Sequence, residues 1–263
     1  MEFLDQWYQI VSRIFTRYTM VAGIAFVLFY LVLRYTGWFV KIQEKFPGSK
    51  DYRREVFYSL TSIIIFGLVV LFILAIPRAY TRFYPDIEDF GWGYYMLSFV
   101  LMTLLHDTYF YWTHRLMHHP RLFRWFHLVH HKSTNPSPWA AYAFHPLEAI
   151  VEAGIYIIIV FTIPVHKSAL GVFFLFSIIY NVYGHLGYEL YPKGFDRHWL
   201  GKWINTSVNH NLHHKYFTGS YGLYFTFWDR VMRTLHRRYN DSFESVTVRQ
   251  REARRRDRSQ ALD

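Results

Sequence analysis

Seven of the twenty-six residues from His106 to His131 are histidines, and "NHNLHH" at Asn209–His214 adds three more. Residues three or four apart on a helix share a face. His114 and His118 have that spacing, with His106 two turns earlier on nearly the same line. His127, His130 and His131 stand at i, i+3 and i+4, and His210, His213 and His214 repeat the pattern. Neutral imidazole is a good ligand for iron, zinc, copper and nickel. Without a metal, so many imidazoles gathered in an apolar protein would be unpaired polar groups or mutually repelling cations. Eight imidazoles exceed the needs of one tetrahedral ion, so two ions are the natural count. His106, His145 and His185 could each bind a metal or orient a ligand. His119 faces away from the His114/His118 line, and His166, His198 and His236 read as surface or hydrogen-bonded residues.

The chain has no cysteine, which removes thiolate ligands, disulfides, thiolate-ligated haem and CxxC redox chemistry. There is no HExxH, GxSxG, P-loop or GxGxxG pattern, so the chain holds no evident reductant of its own. Metal transport would need ligands along a pore. Here the histidines sit at the ends of apolar runs and in the polar segments between, which fits a capped site at a membrane surface acting on a lipid. A metal transporter or sensor, or a zinc-dependent membrane lipid hydrolase, is the alternative reading.

Several apolar elements must position these groups. The composition is 52% hydrophobic, 21% aromatic and 18% charged, and the apolar residues come in long runs. Met20–Val40, Phe57–Ile76 and Gly93 to about Trp112 read as spans, while Ala149–Ile163 and Ser168–Tyr183 read as a marginal hairpin. Lys41, Lys45, Lys50, Arg53 and Arg54 mark one loop as cytoplasmic, and Asp86, Glu88 and Asp89 mark the next as the opposite side. The third span then returns the chain to the cytoplasm, and the hairpin leaves His185 and "NHNLHH" on that same face. The net charge of +10 reads as cytoplasmic flanks and attraction to anionic headgroups, with no nucleic-acid partner expected. No cleavable signal is visible. The expected class is all-α: a polytopic membrane helical protein with a cytosolic, helical, histidine-rich metal-binding cap. The expected division is a membrane anchor at 1–92, a catalytic domain at 93–240 and a basic disordered tail at 241–263.

Taken in order, HxxxH at His114–His118, HxxHH at His127–His131 and HxxHH at His210–His214 resemble the fatty acid hydroxylase/sterol desaturase superfamily. "DTYFYWTHRLMHHPRLFRWFHLVHHKS" resembles its core, and "NPSPWAAYAFHPLEA" resembles the following segment of sterol C5-desaturases. "GHLGYE" and "NHNLHHKYFTGSYGLYFTFWDR" resemble the last two blocks, so the likeness covers about Phe99 to Thr234. The resemblance implies two iron ions, O2 as co-substrate, and hydroxylation or desaturation of a membrane lipid. It also implies electrons drawn ultimately from NAD(P)H through a separate cytochrome b5- or ferredoxin-type donor. Carried over by position, the implied ligands are His114, His118, His127, His130, His131, His210, His213 and His214, followed by His185 and His145. Asp107, Glu148 and Glu189 are the implied partners that orient ligand imidazoles, and Asp229 reads as structural. Ala141-Tyr142 and Glu148-Ala149 depart from the Ser-His and Asp-Gly usual in sterol C5-desaturases, which leaves a sterol-like, fatty acyl or aminolipid substrate open. The expected location is a bacterial inner membrane or an ER-like membrane, with the site on the cytoplasmic face.

Overall fold

The computed structural model of the chain describes residues 2–260. Ten α-helices and very little strand make up those residues. α1 (Glu2–Phe26) runs on through a wider turn at Val27–Val32 and a tighter one at Leu33–Tyr35. α2 (Ser49–Ala75), α3 (Gly91–Met117), α6 (Pro146–Thr162) and α7 (Lys167–Gly184) are the other long elements. The short α4 (Pro120–Phe126), α5 (Leu128–His131), α8 (Ser207–Tyr216) and α9 (Phe227–Val231) form the cap, and α10 (Tyr239–Gln260) lies across it.

Local chemistry sets these ends. At α2 the Gly48 N–H donates to the Asp51 carboxylate at 3.0 Å, and Ile76 turns extended before Pro77, as residues preceding proline do. α6 opens with Pro146, whose missing N–H costs nothing in the first turn, and His145 accepts the Leu147 N–H at 3.3 Å. Thr206 caps α8 by accepting the Asn209 N–H at 3.2 Å. Phe217, with φ at +62°, ends that helix in the left-handed region.

Phe3–Tyr35, Ser49–Ala75 and Lys167–Gly184 are long and apolar enough to cross a bilayer. The shortest has 18 residues, or about 27 Å at 1.5 Å per residue, against a hydrocarbon core of about 30 Å. Phe57, Leu60, Ile64, Leu68 and Phe72 repeat along one exposed face of α2, and Met96, Val100 and Leu104 along one of α3. Such faces need lipid as their solvent. Tyr35 and Trp38 at one end, and Tyr80, Phe90 and Trp92 at the other, are exposed aromatics suited to the two interfaces.

The first helix begins well before the expected Met20 and ends before Val40; its early turns meet α2 through Trp7 and Val11 beside Gly67 and through Tyr18, whose hydroxyl lies 2.9 Å from Ser59 Oγ. Inside the bundle, Tyr18, Ala22, Ile63, Ile178 and Val182 form one core. Both Tyr18 and Ser59 donate to the Trp139 carbonyl, at 2.7 and 2.9 Å. At the far end β1 (Phe83–Tyr84) pairs in parallel with β2 (Val165–His166), tying the α2–α3 loop to the tip of the α6–α7 hairpin.

The basic C-terminal segment is not the disordered tail expected from residue 241. It is helical to Gln260, and residues 261–263 lie outside the described residues. Tyr239, Phe243 and Val246 bury against Val208 and Leu212 of α8. Arg249 donates to the carbonyls of Lys41 and Ile42, and Arg254 to that of Trp38. A sparse apolar stripe and backbone acceptors order a segment whose charge alone suggests disorder.

Candidate metal centre

The structure brings nine imidazoles into two adjacent groups. His114, His118, His127, His131 and His213 form one, and His130, His185, His210 and His214 the other. Within each group the facing ring nitrogens all lie within 4.8 Å of one another. Helical spacing explains the sorting. His127 and His131, one turn apart on α5 and its cap, enter the first group, while His130 points to the second. On α8 the assignment reverses, with His210 and His214 in the second group and His213 in the first. The groups meet where the His131 and His214 rings stack at 5.0 Å.

Five of these rings have their tautomer fixed from outside. Nδ1 of His114 faces the Tyr221 carbonyl at 2.9 Å, that of His213 the Gly219 carbonyl at 2.7 Å, and that of His214 the Ser133 carbonyl at 3.0 Å. His185 Nδ1 faces the Asn181 carbonyl at 2.8 Å, and His127 Nδ1 faces Glu148 Oε1 at 2.6 Å. A carbonyl or carboxylate oxygen only accepts, so each Nδ1 carries the proton and each Nε2 presents a lone pair inward.

Those inward lone pairs face one another. His185 Nε2 lies 3.1 Å from His214 Nε2 and 3.0 Å from His210 Nε2. In the first group, the Nε2 atoms of His114 and His127 are buried without any partner. Burial, followed by the neighbouring imidazoles, pushes His127, His131, His210, His213 and His214 well below the usual imidazole range. Burial likewise pushes His185 down to about 4. Neutral imidazoles converging lone pair to lone pair are a donor set that a cation completes and that protons alone do not. Phe123 and Phe217 shield the outer side, with ring centres 5.3 Å from His118 and 4.9 Å from His131.

Other expected site residues lie elsewhere. His145 is outside both groups and serves as the α6 cap. Asp107 holds no imidazole. It accepts the Tyr224 and Phe225 N–H groups at 2.8 and 3.1 Å, which fixes the loop carrying Tyr221. Glu189 holds none either. Its acceptances from Leu190, Tyr191, Val208 and the Tyr183 hydroxyl anchor the start of α8. Glu148 is the one of the three acids that meets an imidazole. Asp229 accepts from Tyr221, Gly222 and Thr234, a structural role. His106 faces the Tyr224 hydroxyl at 3.0 Å. The carbonyls of Ser133, Asn181, Gly219 and Tyr221 have no sequence signal, since every residue type carries one.

A protein-family model described as fatty acid hydroxylase matches residues 99–234. The chain belongs to the fatty acid hydroxylase family. All nine clustered imidazoles of this fatty acid hydroxylase family member fall inside the matched segment. A Delta(7)-sterol 5(6)-desaturase of Gibberella zeae is 34% identical over 216 residues, covering 80% of this chain and 65% of that protein. One of Aspergillus fumigatus is 32% identical over 234 residues, covering 80% of this chain and 72% of the relative. Lathosterol oxidase of Mus musculus is 36% identical over 183 residues, covering 68% of this chain and 59% of the relative. The chain thus spans about three fifths to three quarters of the length of these relatives. No solved structure matches it.

Proposed function

We propose that the chain is an O2-dependent di-iron oxidoreductase that hydroxylates or desaturates a C–H bond of a membrane lipid. The observation that carries this reading is the pair of adjacent imidazole groups with unprotonated Nε2 atoms turned inward. His114, His118, His127, His131 and His213 would hold one ion, and His130, His185, His210 and His214 the other. Two iron ions there would supply the redox chemistry that activates O2 against an unactivated C–H bond.

The chain's own residues prepare the site. The four carbonyls and Glu148 hold the imidazoles in the binding tautomer and orientation. Phe110, Phe123, Phe144 and Phe217 wall the rings from bulk water. Electrons come from a separate cytochrome b5- or ferredoxin-type protein supplied by NAD(P)H, because the chain has no dinucleotide-binding fingerprint. The basic loop at 41–54 and the α10 arginines share the end of the bundle that carries the cap. The positive-inside bias supports a cytoplasmic face for the site. The relatives' names favour a polycyclic, sterol-like lipid. Tyr142, where the chain departs from sterol C5-desaturases, lines a cavity beside the imidazoles, where it would bear on substrate choice.

The test is metal content and lipid chemistry together. Protein loaded anaerobically is expected to hold about two iron ions per chain, and His130→Ala and His213→Ala to lose iron and activity. Lipid extracts of cells making the protein under air should show a gain of one oxygen or a loss of two hydrogens. Stoichiometric zinc with no response to O2 and reductant, or lipid cleavage in place of oxidation, would overturn the reading.

A further inference from the structure

A small cavity lies against the imidazoles on the membrane side. Phe110 of α3 and Phe144 of the loop before α6 line it, with ring centres 5.0 Å from that of His114 and 5.1 Å from that of His130. Asn181 of α7 also lines it, and its carbonyl accepts from His185. The cavity therefore adjoins both groups. Its open volume is about 40 Å³, a few times the roughly 10–15 Å³ that a single water needs on the same measure. It has room for a small polar group and the carbons that bear it.

Into this largely aromatic space α6 delivers Glu152. Glu152 stands one turn beyond Glu148 on the same helical face, about 6 Å along the axis. The two carboxylates have different fates. Glu148 is taken up by His127, whereas Glu152 has no hydrogen-bond partner among the described residues, and burial alone acts on it. Glu152 is only partly exposed, on the wall of the cavity, and a carboxyl group held there without a partner is one that an incoming donor can complete.

We propose that Glu152 is a substrate-positioning residue that accepts a hydrogen bond from a hydroxyl group of the lipid. A neutral hydroxyl enters an apolar cavity at far lower desolvation cost than an ammonium group, and the hydroxyl and amide side chains of Tyr156, Ser177 and Asn181 on the same walls are neutral partners for it. The one-turn offset from Glu148 places this anchor close to the imidazoles. The C–H bond that is oxidised then lies only a few carbons from the anchored hydroxyl. This inference rests on the oxygenase reading and narrows its substrate to a hydroxylated lipid.

The test uses iron-loaded full-length protein in lipid nanodiscs, with lathosterol and its methyl ether as binding probes. Wild type is expected to bind lathosterol about 10-fold more tightly than the ether. Glu152→Gln, which keeps an acceptor, should retain most of that preference, and Glu152→Leu should bind both alike. Iron per chain and melting temperature should be the same in all three proteins. Equal binding of the two probes by wild type, binding of neither, or a preference surviving in Glu152→Leu overturns the proposal. An adventitious water filling the cavity would give the equal-affinity result. Missing iron, or no oxidised lipid from wild type, would instead strike the oxygenase reading itself.

Discussion

Each imidazole in the centre has two nitrogens, and the outer one decides what the inner one can do. His127 shows this most directly, because its outer partner is a side chain that can be changed. Glu148 and His127 are both buried and 2.6 Å apart. The carboxylate accepts a hydrogen bond from Nδ1–H, orients the ring and raises the basicity of Nε2. Losing such a partner typically costs 10- to 100-fold in metal affinity. Glu148→Leu is therefore expected to weaken iron binding by about that factor, while Glu148→Gln, still an acceptor, should lose less. Competition against a graded chelator measures both, and unchanged affinity in Glu148→Leu would show that the ring needs no such support. At this scale the sequence marks which histidines share a helical face. It does not say which group each joins, because His127 and His130 are three residues apart yet part company. That division depends on how α5 and α8 face each other across the chain.

The elements around the centre are legible to different degrees for physical reasons. A long apolar run identifies α2 directly, since only lipid or a large core can take up such surface, whereas the run at 168–183 reads as marginal and forms the 18-residue α7. α10 is hidden because its apolar residues are few among arginines and its acceptors are backbone carbonyls of the loop at 38–42. That loop also carries Lys41, whose ammonium group is buried against Tyr30, donates to its hydroxyl at 2.9 Å, and lies 5.5 Å from the Tyr188 ring centre. Ile42 N–H donates to the Gly187 carbonyl at 2.9 Å, two residues beyond His185, so the loop braces the segment that places this imidazole. Gly187 has φ at +72°, and a Cβ there would meet Lys41 Nζ.

Burial, partly offset by the charge of Glu55, lowers Lys41 from 10.5 to about 7. Between those two values the unfolded chain binds a proton that the folded chain does not, so stability rises with pH across that window. Below about 7 both states are protonated and the full cost of burying the charge remains. Lys41→Met should remove this dependence, since a flexible apolar chain suits the aromatic surroundings. From pH 7 to pH 9 the wild type should gain about 2 to 3 kcal/mol relative to the variant. Melting curves of the two proteins across that range measure the gain, and a difference that does not change with pH would show that Lys41 keeps its charge in the fold.

For the whole molecule, the matched family segment and the helices outside it form one packed unit. α2 shows this well: Arg54 donates to the Lys132 carbonyl and to Ser133 Oγ beside the centre, and Phe66 lines the cavity. The bundle is also polar along its length. Asp86, Glu88 and Asp89 lie between α2 and α3 at one end, while Lys45, Lys50 and the α10 arginines lie at the end with the imidazoles. A negative inner surface and the positive-inside bias favour the basic end in the cytoplasm. The absence of cysteine makes this directly testable, because any introduced thiol is the only one. Glu88→Cys and Lys50→Cys are both exposed positions at opposite ends. In intact cells a membrane-impermeant maleimide should label Glu88→Cys and leave Lys50→Cys untouched until the membrane is opened. The reverse pattern would put the imidazoles outside the cytoplasm and overturn the proposed cytoplasmic site.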